Sequence, residues 1–430
     1  MRIVYLVHDL GDAAVARRVR LFADAGHRVQ LWGFRRAASA PPAVAGAAVG
    51  DLGRTADGRL WARALAVLKL ALVPGPLRAA VRGADVVVAR NLETLVLAAR
   101  LRRRGQRLVY ECLDIHRLLL GTGLASRLLH AVERWALART ALVVVSAPAF
   151  RDAYFHGHIG AAVPVLLLEN KVPADALPAG AVPADAVPAS VALAGALAAK
   201  APPADALTAK ALPVAPPPGG AAAGARPWVI GWFGMLRCRK SLAVLARLAG
   251  QSGGRIAVLI AGKPSAAEFP DLAGEVAAMP GVTFVGAYAP ADLAGLYARV
   301  DFVWAIDWFE EGLNSRWLLP NRLYEGLAHG AVPIALAQVA TGQWLAARGV
   351  GLVVSGPEAL GPWLAGLDAP GFARLRVGLA ALPRADIVLE PAEAASALDQ
   401  ILGSAPAARV VASLPGLARP GLPAVMEVAP

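Results

Sequence analysis

The sequence predicts an α/β protein built from two Rossmann-like domains that face a central cleft. Short apolar runs alternate with helical segments in residues 1–172 and again in residues 227–404, and an Ala/Pro-rich stretch separates the two regions. Such alternation is typical of parallel sheets covered by helices on both faces. At 430 residues, the chain also exceeds the usual size of a single hydrophobic core.

The N-terminal region opens with a regular succession of strands and helices. Its apolar runs predict strands, and two of the helical segments between them end on glycine, which commonly terminates a helix. The predicted strands span residues 2–7, 27–34, 84–90, 106–114 and 141–147, and the predicted helices span residues 14–26, 91–105 and 125–140.

The C-terminal region repeats this pattern. Ligands of such sheets bind outside the carboxyl ends of the strands, so the natural site is the cleft between the two domains. The predicted strands span residues 227–234, 255–262, 282–286, 301–306, 331–335 and 349–355, and the helices span residues 241–250, 290–300, 320–330 and 391–404.

Two segments lack this pattern. Residues 173–226 are rich in Ala and Pro, repeat Pro-Ala-Asp-Ala three times and contain no aromatic side chain. Such a segment buries too little apolar surface to offset its ordering entropy, so we predict a disordered linker. Residues 405–430 have a similar composition and predict a loose tail.

The charge distribution is uneven. Residues 1–171 contain 25 Lys and Arg against 12 Asp and Glu, whereas the remainder contains 18 against 19. A basic surface attracts phosphates, nucleic acids or anionic lipids, although an ordinary solvated surface is the alternative. No helix-turn-helix, finger or RNA-binding signature is present, so we expect no nucleic-acid partner.

The chain is expected to be cytoplasmic. Its two cysteines are far apart and form no disulfide framework, and no secretory signal is visible. The most membrane-like stretch, residues 60–81, is interrupted by charges and prolines and predicts an amphipathic or buried helix rather than a span. His156 and His158 lack companion ligands, so no metal is expected.

The stretch "GWFGMLRCRKSL" predicts a diphosphate site. A strand ends at Gly234, and Arg237, Arg239 and Lys240 follow within six residues at the start of a helix. Backbone N–H groups and the helix dipole favour an anion there, and arginine grips phosphate oxygens bidentately. An exposed charged turn is the alternative interpretation.

The stretch "PNRLYEGLAHGAVPIA" predicts a ribose site. Asn321, Arg322 and Glu325 lie in the first turns of a helix that ends at Gly330 and leads into a strand. A carboxylate in this place accepts hydrogen bonds from vicinal hydroxyls, as acidic residues do in nucleotide folds. Compensation of the helix dipole is the alternative.

Two N-terminal loops carry further candidates at strand ends. In "YECLDIHR", Glu111, Asp114 and His116 are candidates for hydrogen bonding to a sugar or for relaying a proton, although a helix-capping role is the alternative. In "VHDLGDAAVARR" the candidates on the acceptor side, all in the turn after the first strand, are Asp9, Gly11 and Asp12. This turn lacks G-x-G-x-x-G, which argues against a dinucleotide site.

Together these motifs resemble the GT-B glycosyltransferases, especially the retaining nucleotide-sugar enzymes of bacterial polysaccharide assembly, and are most similar to the succinoglycan-biosynthesis type. The resemblance covers residues 1–170 and 227–400. It implies that the C-terminal domain binds the nucleotide sugar and the N-terminal domain binds the acceptor. It also implies that Lys240 contacts phosphate. The family's arginine after Gly234 is replaced by Met235, so Arg237 or Arg239 is the candidate substitute.

The resemblance further implies that Glu325 is the second acid of an E-x₇-E pattern and contacts the ribose. The position of the first acid is occupied by Trp317. Backbone groups near Asn314 and Ser315 are then the candidates for contacting the sugar.

The expected function is therefore transfer of a sugar from a nucleotide-diphosphate donor to a lipid-linked saccharide in exopolysaccharide biosynthesis. The resemblance implies a retaining reaction without a cofactor, and the basic N-terminal domain implies peripheral contact with an anionic membrane. The alternatives are a sugar-nucleotide epimerase of the same fold, a non-catalytic binder of nucleotide sugars or membrane surfaces, and an NAD-dependent oxidoreductase.

Overall fold

The computed structural model describes residues 1–36, 39–55, 70, 75–177 and 226–404. Most of the predicted linker, the predicted tail and most of the membrane-like stretch lie outside these residues. In the described part, the predicted α/β class with two parallel sheets is confirmed. No helix within these residues has the length and apolar character needed to cross a bilayer.

The N-terminal sheet has eight strands in the order β3-β4-β2-β1-β5-β6-β7-β8, all parallel except the β3–β4 pair. The strands are β1 (Arg2–Val7), β2 (Arg28–Arg35), β3 (Ala43–Val44), β4 (Ala47–Arg54), β5 (Val86–Arg90), β6 (Arg107–Cys112), β7 (Leu142–Val145) and β8 (Val165–Leu167). The helices are α1 (Ala13–Asp24), α2 (Gly75–Gly83), α3 (Leu92–Leu101) and α4 (Leu124–Leu137), with a 3₁₀ turn at Arg117–Leu120 and a π-helix at Phe150–Ile159.

The C-terminal sheet has six parallel strands in the order β12-β11-β10-β13-β14-β15. They are β10 (Trp228–Leu236), β11 (Ile256–Pro264), β12 (Val282–Phe284), β13 (Phe302–Trp304), β14 (Val332–Leu336) and β15 (Leu352–Val354). The helices are α5 (Arg239–Gln251), α6 (Leu272–Ala277), α7 (Leu293–Tyr297), α8 (Asn321–Ala328), α9 (Ala340–Ala347), α10 (Leu360–Gly366), α11 (Ala369–Ala380) and α12 (Arg384–Ile387).

The end of the described chain returns to the N-terminal domain. Strands β9 (Val172–Pro173) and β16 (Val388–Leu389) form a short parallel pair. Helix α13 (Pro391–Leu402) then packs its buried face on the core beneath β1 and β5, and Arg107 donates to the carbonyl oxygen of Ile401 at 2.8 Å. The predicted C-terminal domain, residues 227–404, therefore contributes its last helix to the N-terminal fold.

The apolar strands explain the position of the core. Every residue of β5 and of β14 is buried, as expected for central parallel strands with helices on both faces. Since these strands are mostly apolar, the charged side chains of the cleft come from the loops at the carboxyl ends of the two sheets.

Candidate active site

The cleft lies between loops at the carboxyl ends of the two sheets and is bridged by side chains. Asp114, two residues beyond β6, accepts a short hydrogen bond from the side-chain amide of Asn314, whose Oδ1 accepts from the Ile115 N–H at 3.2 Å. Arg17 of α1 lies 3.3 Å from Glu325 of α8. The structure thus brings together residues that are about 200 and about 300 positions apart in the sequence.

Glu111 does not line the cleft, which corrects its prediction as a catalytic group. Its side chain is 1% exposed and accepts hydrogen bonds from Arg18 (2.7 Å), Arg90 (2.9 Å) and the hydroxyl of Tyr5. Burial opposes ionisation, but Arg90 and Arg18 lower the pKa of Glu111 to about 2. Glu111 is therefore a buried, charged anchor beneath the site, and both of its carboxylate oxygens accept hydrogen bonds from the surrounding side chains.

The turn after β1 is likewise held by internal bonds. Asp9 accepts from the Gly11 N–H at 2.9 Å, and its other oxygen lies 3.1 Å from Arg36. Asp12 caps α1 through the Ala14 N–H and pairs with Arg90 at 2.9 Å. Burial acts to raise the pKa of the Asp12 carboxyl, but the Arg90 guanidinium outweighs this effect and the pKa is lowered. The predicted acceptor-side acids therefore shape the loop rather than present free carboxylates.

Asp114 and His116 remain at the cleft. Asp114 keeps an exposed surface at the cleft, but protein atoms crowd its carboxyl group. This desolvation, together with the Asp307 carboxylate, raises the pKa of Asp114 against the opposing effect of Arg237. The Nδ1 atom of His116 accepts from the Leu118 N–H at 3.2 Å and so caps the 3₁₀ turn. In a neutral ring with this bond, the proton is carried on Nε2.

The end of β10 is shaped by two glycines. Gly234 has a φ of 113°, and a Cβ on it would meet open space. Gly262 of β11 has a φ of 142°, and a Cβ there would lie 1.8 Å from the Gly234 carbonyl oxygen. Only glycine at position 262 fits this close contact between the ends of β10 and β11.

The three cations after β10 point to different places. Arg237 lies over the Phe309 ring at 4.5 Å and 4.0 Å from Asp307, on the cleft side. Lys240 lies over Trp308 and makes two 2.7 Å bonds to the exposed Glu311. Arg239 instead pairs with Glu275 of α6, so its predicted contact with phosphate stays a prediction.

Helix α8 supplies the last predicted group. No side chain of the described residues caps its N terminus, where Asn321 follows Pro320. Arg322 donates to the Ile306 carbonyl oxygen at 3.1 Å and lies 3.9 Å from Asp307. Glu325 is nearly buried, and its carboxylate adds to burial in raising the pKa of the neighbouring Tyr288. Asn314, predicted to contact the donor, is buried between the domains and is engaged with Asp114 and Ile115.

Trp317 has a packing role at the position of the absent acid. Its ring contacts Phe150 and Tyr154 of the π-helix in the other domain, with ring centroids 6.4 Å apart in each pair. Arg17, Asp307 and Glu310 are cleft residues that were not among the predicted site residues. Asp307 and Glu310 belong to the aromatic and acidic stretch "DWFEEGLN", which was the available signal. Burial and the Asp114 carboxylate raise the pKa of Glu310.

The chain resembles known proteins in sequence and in fold. No protein-family model matches the chain. The chain is 41% identical over 366 residues to the succinoglycan biosynthesis protein ExoL of Rhizobium meliloti (strain 1021), a match that covers 83% of this chain and 82% of the relative.

Solved structures show the same fold at lower identity. The sucrose-phosphate synthase of Thermosynechococcus elongatus superimposes with a TM-score of 0.65 at 17% identity, over 94% of this chain and all of that one. HepE of Anabaena, solved with UDP and glucose, gives 0.61 at 14% identity over 94% of this chain and all of HepE. The lipopolysaccharide glycosyltransferase WaaG gives 0.59 at 14% identity over 93% of this chain and all of WaaG. The chain therefore belongs to the family of the succinoglycan biosynthesis protein ExoL, and its fold is the GT-B fold of these solved structures.

Proposed function

We propose that the cleft binds a nucleoside-diphosphate sugar and transfers its sugar, with retention of configuration, to a lipid-linked saccharide. The observation that carries this proposal is the position of Glu325, a nearly buried carboxylate on the cleft wall whose partner, Arg17, comes from the opposite domain. A carboxylate held in this way is a ready acceptor for vicinal ribose hydroxyls. The structure of HepE with UDP and glucose supports a nucleotide sugar as the donor.

The remaining groups suit the diphosphate and the sugar. Arg237 and Arg322 both lie within about 4 Å of Asp307. A phosphate that enters there would compete with the Asp307 carboxylate for these two guanidinium groups. Lys240 would have to exchange Glu311 for phosphate, a small cost because both side chains are about half exposed. Stabilising the departing diphosphate is the main electrostatic task in such a transfer.

Asp114 and His116 are the proposed groups on the acceptor side. Asp114 can accept a hydrogen bond from a sugar hydroxyl, and the Nε2–H of a neutral His116 can donate one. In a retaining transfer the acceptor attacks on the face that the diphosphate leaves, so positioning carries more of the catalysis than a strong base. The lipid-linked acceptor and the association with an anionic membrane are supported by the excess of Lys and Arg in residues 1–171.

Calorimetric titration with UDP, GDP and NAD tests the donor site. We expect one nucleoside diphosphate to bind, and Glu325→Ala to weaken it by about 10- to 100-fold, since a charged hydrogen bond is worth about 1.5–3 kcal/mol. The exposed Asp399→Asn serves as the matched control. Binding of NAD, or equal binding by both variants, would refute the assignment of Glu325.

A second candidate function is nucleotide-sugar binding without catalysis. The packing of Trp317 at the position of the first acid favours it. Tight donor binding with no release of nucleoside diphosphate in the presence of membrane-extracted acceptor would support this alternative.

A further inference from the structure

The outer face of helix α4 carries an aligned row of exposed apolar side chains. Leu124 is 82% exposed, Leu128 69% and Trp135 37%, and the exposed Ala131 lies between them. Their spacing of four, three and four residues places all of them on one side of the helix. Scattered exposed apolar residues are ordinary, but a continuous row marks a site of interaction.

Cations flank this row. Arg127 and Arg134 are exposed on the same helix, whereas its single acid, Glu133, is fully buried on the opposite side. At the C-terminal end of the row, the Arg139 guanidinium stacks on Trp135 at 4.5 Å. Residues Arg102–Arg104, at the end of α3, gather with Arg139 around one surface depression. The face therefore combines exposed apolar groups with arginines that form no ion pair with an acid of the described residues.

The same face adjoins the acceptor side of the cleft. The 3₁₀ turn at Arg117–Leu120 follows Asp114 and His116 directly and packs against α4. Its Leu118 is 37% exposed and adds another apolar side chain beside the row. A molecule held at a surface that contacts α4 would therefore lie close to the cleft, because the 3₁₀ turn connects Asp114 and His116 to this helix.

We propose that the outer face of α4 docks on an anionic phospholipid bilayer, with Leu124, Leu128 and Trp135 entering the interface and the flanking arginines contacting lipid phosphates. Charge complementarity selects this occupant, since an amphipathic helix with an apolar row and a basic border suits the boundary between headgroups and acyl chains. The inference gives a location to the membrane association in the proposed function, and its test requires neither donor nor turnover.

Vesicle co-sedimentation of the full chain tests the inference. We expect binding to vesicles of phosphatidylglycerol and phosphatidylcholine but little binding to pure phosphatidylcholine. The Leu124→Glu/Leu128→Glu variant should bind at least about tenfold more weakly, because both substitutions place a carboxylate at the interface. Val377→Glu, at a 53% exposed position in the C-terminal domain, is the matched control and should bind like the wild type.

Charge reversal gives an independent measurement. Arg127→Glu/Arg134→Glu should also lose about tenfold or more, whereas the exposed Arg247→Glu on α5 should lose much less. Unchanged thermal transitions would show that the variants fold. Wild-type protein that ignores anionic vesicles, or α4 variants that bind as well as their controls, would overturn the proposal.

Two other outcomes are distinguishable. Self-association in analytical ultracentrifugation that Leu124→Glu/Leu128→Glu abolishes, without vesicle binding, would assign the face to a second copy of the chain and reject the membrane. Vesicle binding through α4 without any nucleotide binding would reject the proposed donor site and leave this inference intact.

Discussion

Arg17 of α1 and Glu325 of α8 form an ion pair across the cleft, with Nη1 3.3 Å from Oε1. This contact joins the first helix of one domain to the acid proposed to bind ribose in the other. Both side chains keep some exposure, so the pair is weak enough to exchange for a ligand. In this structure the Glu325 carboxylate is therefore already paired with a cation from the opposite domain.

Removing Arg17 should strengthen donor binding. We expect Arg17→Gln to raise nucleoside-diphosphate affinity about two- to fivefold, because the partly exposed Arg17–Glu325 ion pair, worth up to about 1 kcal/mol, no longer has to break. Calorimetry measures the change, with Arg20→Gln on the exposed face of α1 as control. A tenfold loss of affinity would instead mean that Arg17 itself binds the ligand.

Neutralising Glu111 should destabilise the N-terminal domain. We expect Glu111→Gln to lower the free energy of unfolding by about 3–5 kcal/mol, because the buried Arg90 loses its main partner. Urea denaturation measures this loss. Asp152→Asn, which breaks an exposed pair with Arg151, should cost less than about 1 kcal/mol. Equal losses would contradict the anchoring role.

The same substitution should change the acid response. The pKa of Glu111 falls from 4.5 to about 2 on folding, so its stabilisation is complete above pH 4.5 and is lost as the pH falls toward 2. Wild-type stability should therefore drop more steeply across this window than that of Glu111→Gln. Parallel curves would show that folding does not lower the pKa of Glu111.

Asp307 should control the ionisation of Asp114. Desolvation and the Asp307 carboxylate raise the pKa of Asp114, whereas Arg237 lowers it. Asp307→Asn removes a like charge and releases Arg237, so the pKa of Asp114 should fall. Carbon-detected NMR titration of the carboxyl group measures it, and Asp399→Asn should leave it unchanged. A rise in the pKa would mean that Arg237 leaves the cleft with its partner.

Glu133 should make the folded state less stable as the pH rises toward neutrality. Burial raises the pKa of Glu133 to about 7, and it accepts a 2.6 Å hydrogen bond from Tyr154. The neighbouring His130 has a lowered pKa owing to burial and to His158, so it adds little positive charge there. Since the folded state binds the proton more tightly, stability is fullest below pH 4.5 and declines through pH 7.

Glu133→Gln should remove this decline. Urea denaturation at pH 5 and pH 8 should show a smaller difference for the variant than for the wild type, with the variant the more stable at pH 8. The exposed Asp152→Asn should retain the wild-type difference. A variant less stable than the wild type at pH 8 would show that the charged form is stabilised by groups other than those named.

The sequence predicted the central elements well and the peripheral ones poorly. Strand β1 matches its prediction, and β10 and α8 agree within two residues, because long apolar runs and clear periods report burial directly. The β3–β4 pair was missed, since Ala- and Gly-rich residues 43–54 have little strand propensity. Helix α3 ends at Leu101 rather than at Gly105, because the three arginines at positions 102–104 favour solvent.

By itself, the sequence determined that two parallel sheets would present charged loops at their carboxyl ends, because alternation of apolar strands and helices is a local property of the chain. It also placed Asp114, Arg237 and Glu325 on such loops or helix starts. Only the tertiary structure decided which of these charges meet. Arg17 and Glu325 are 308 positions apart, and Glu111 turned inward because Arg18 and Arg90 surround it. Ion pairing depends on distances of a few ångströms between separate elements, which no local pattern encodes.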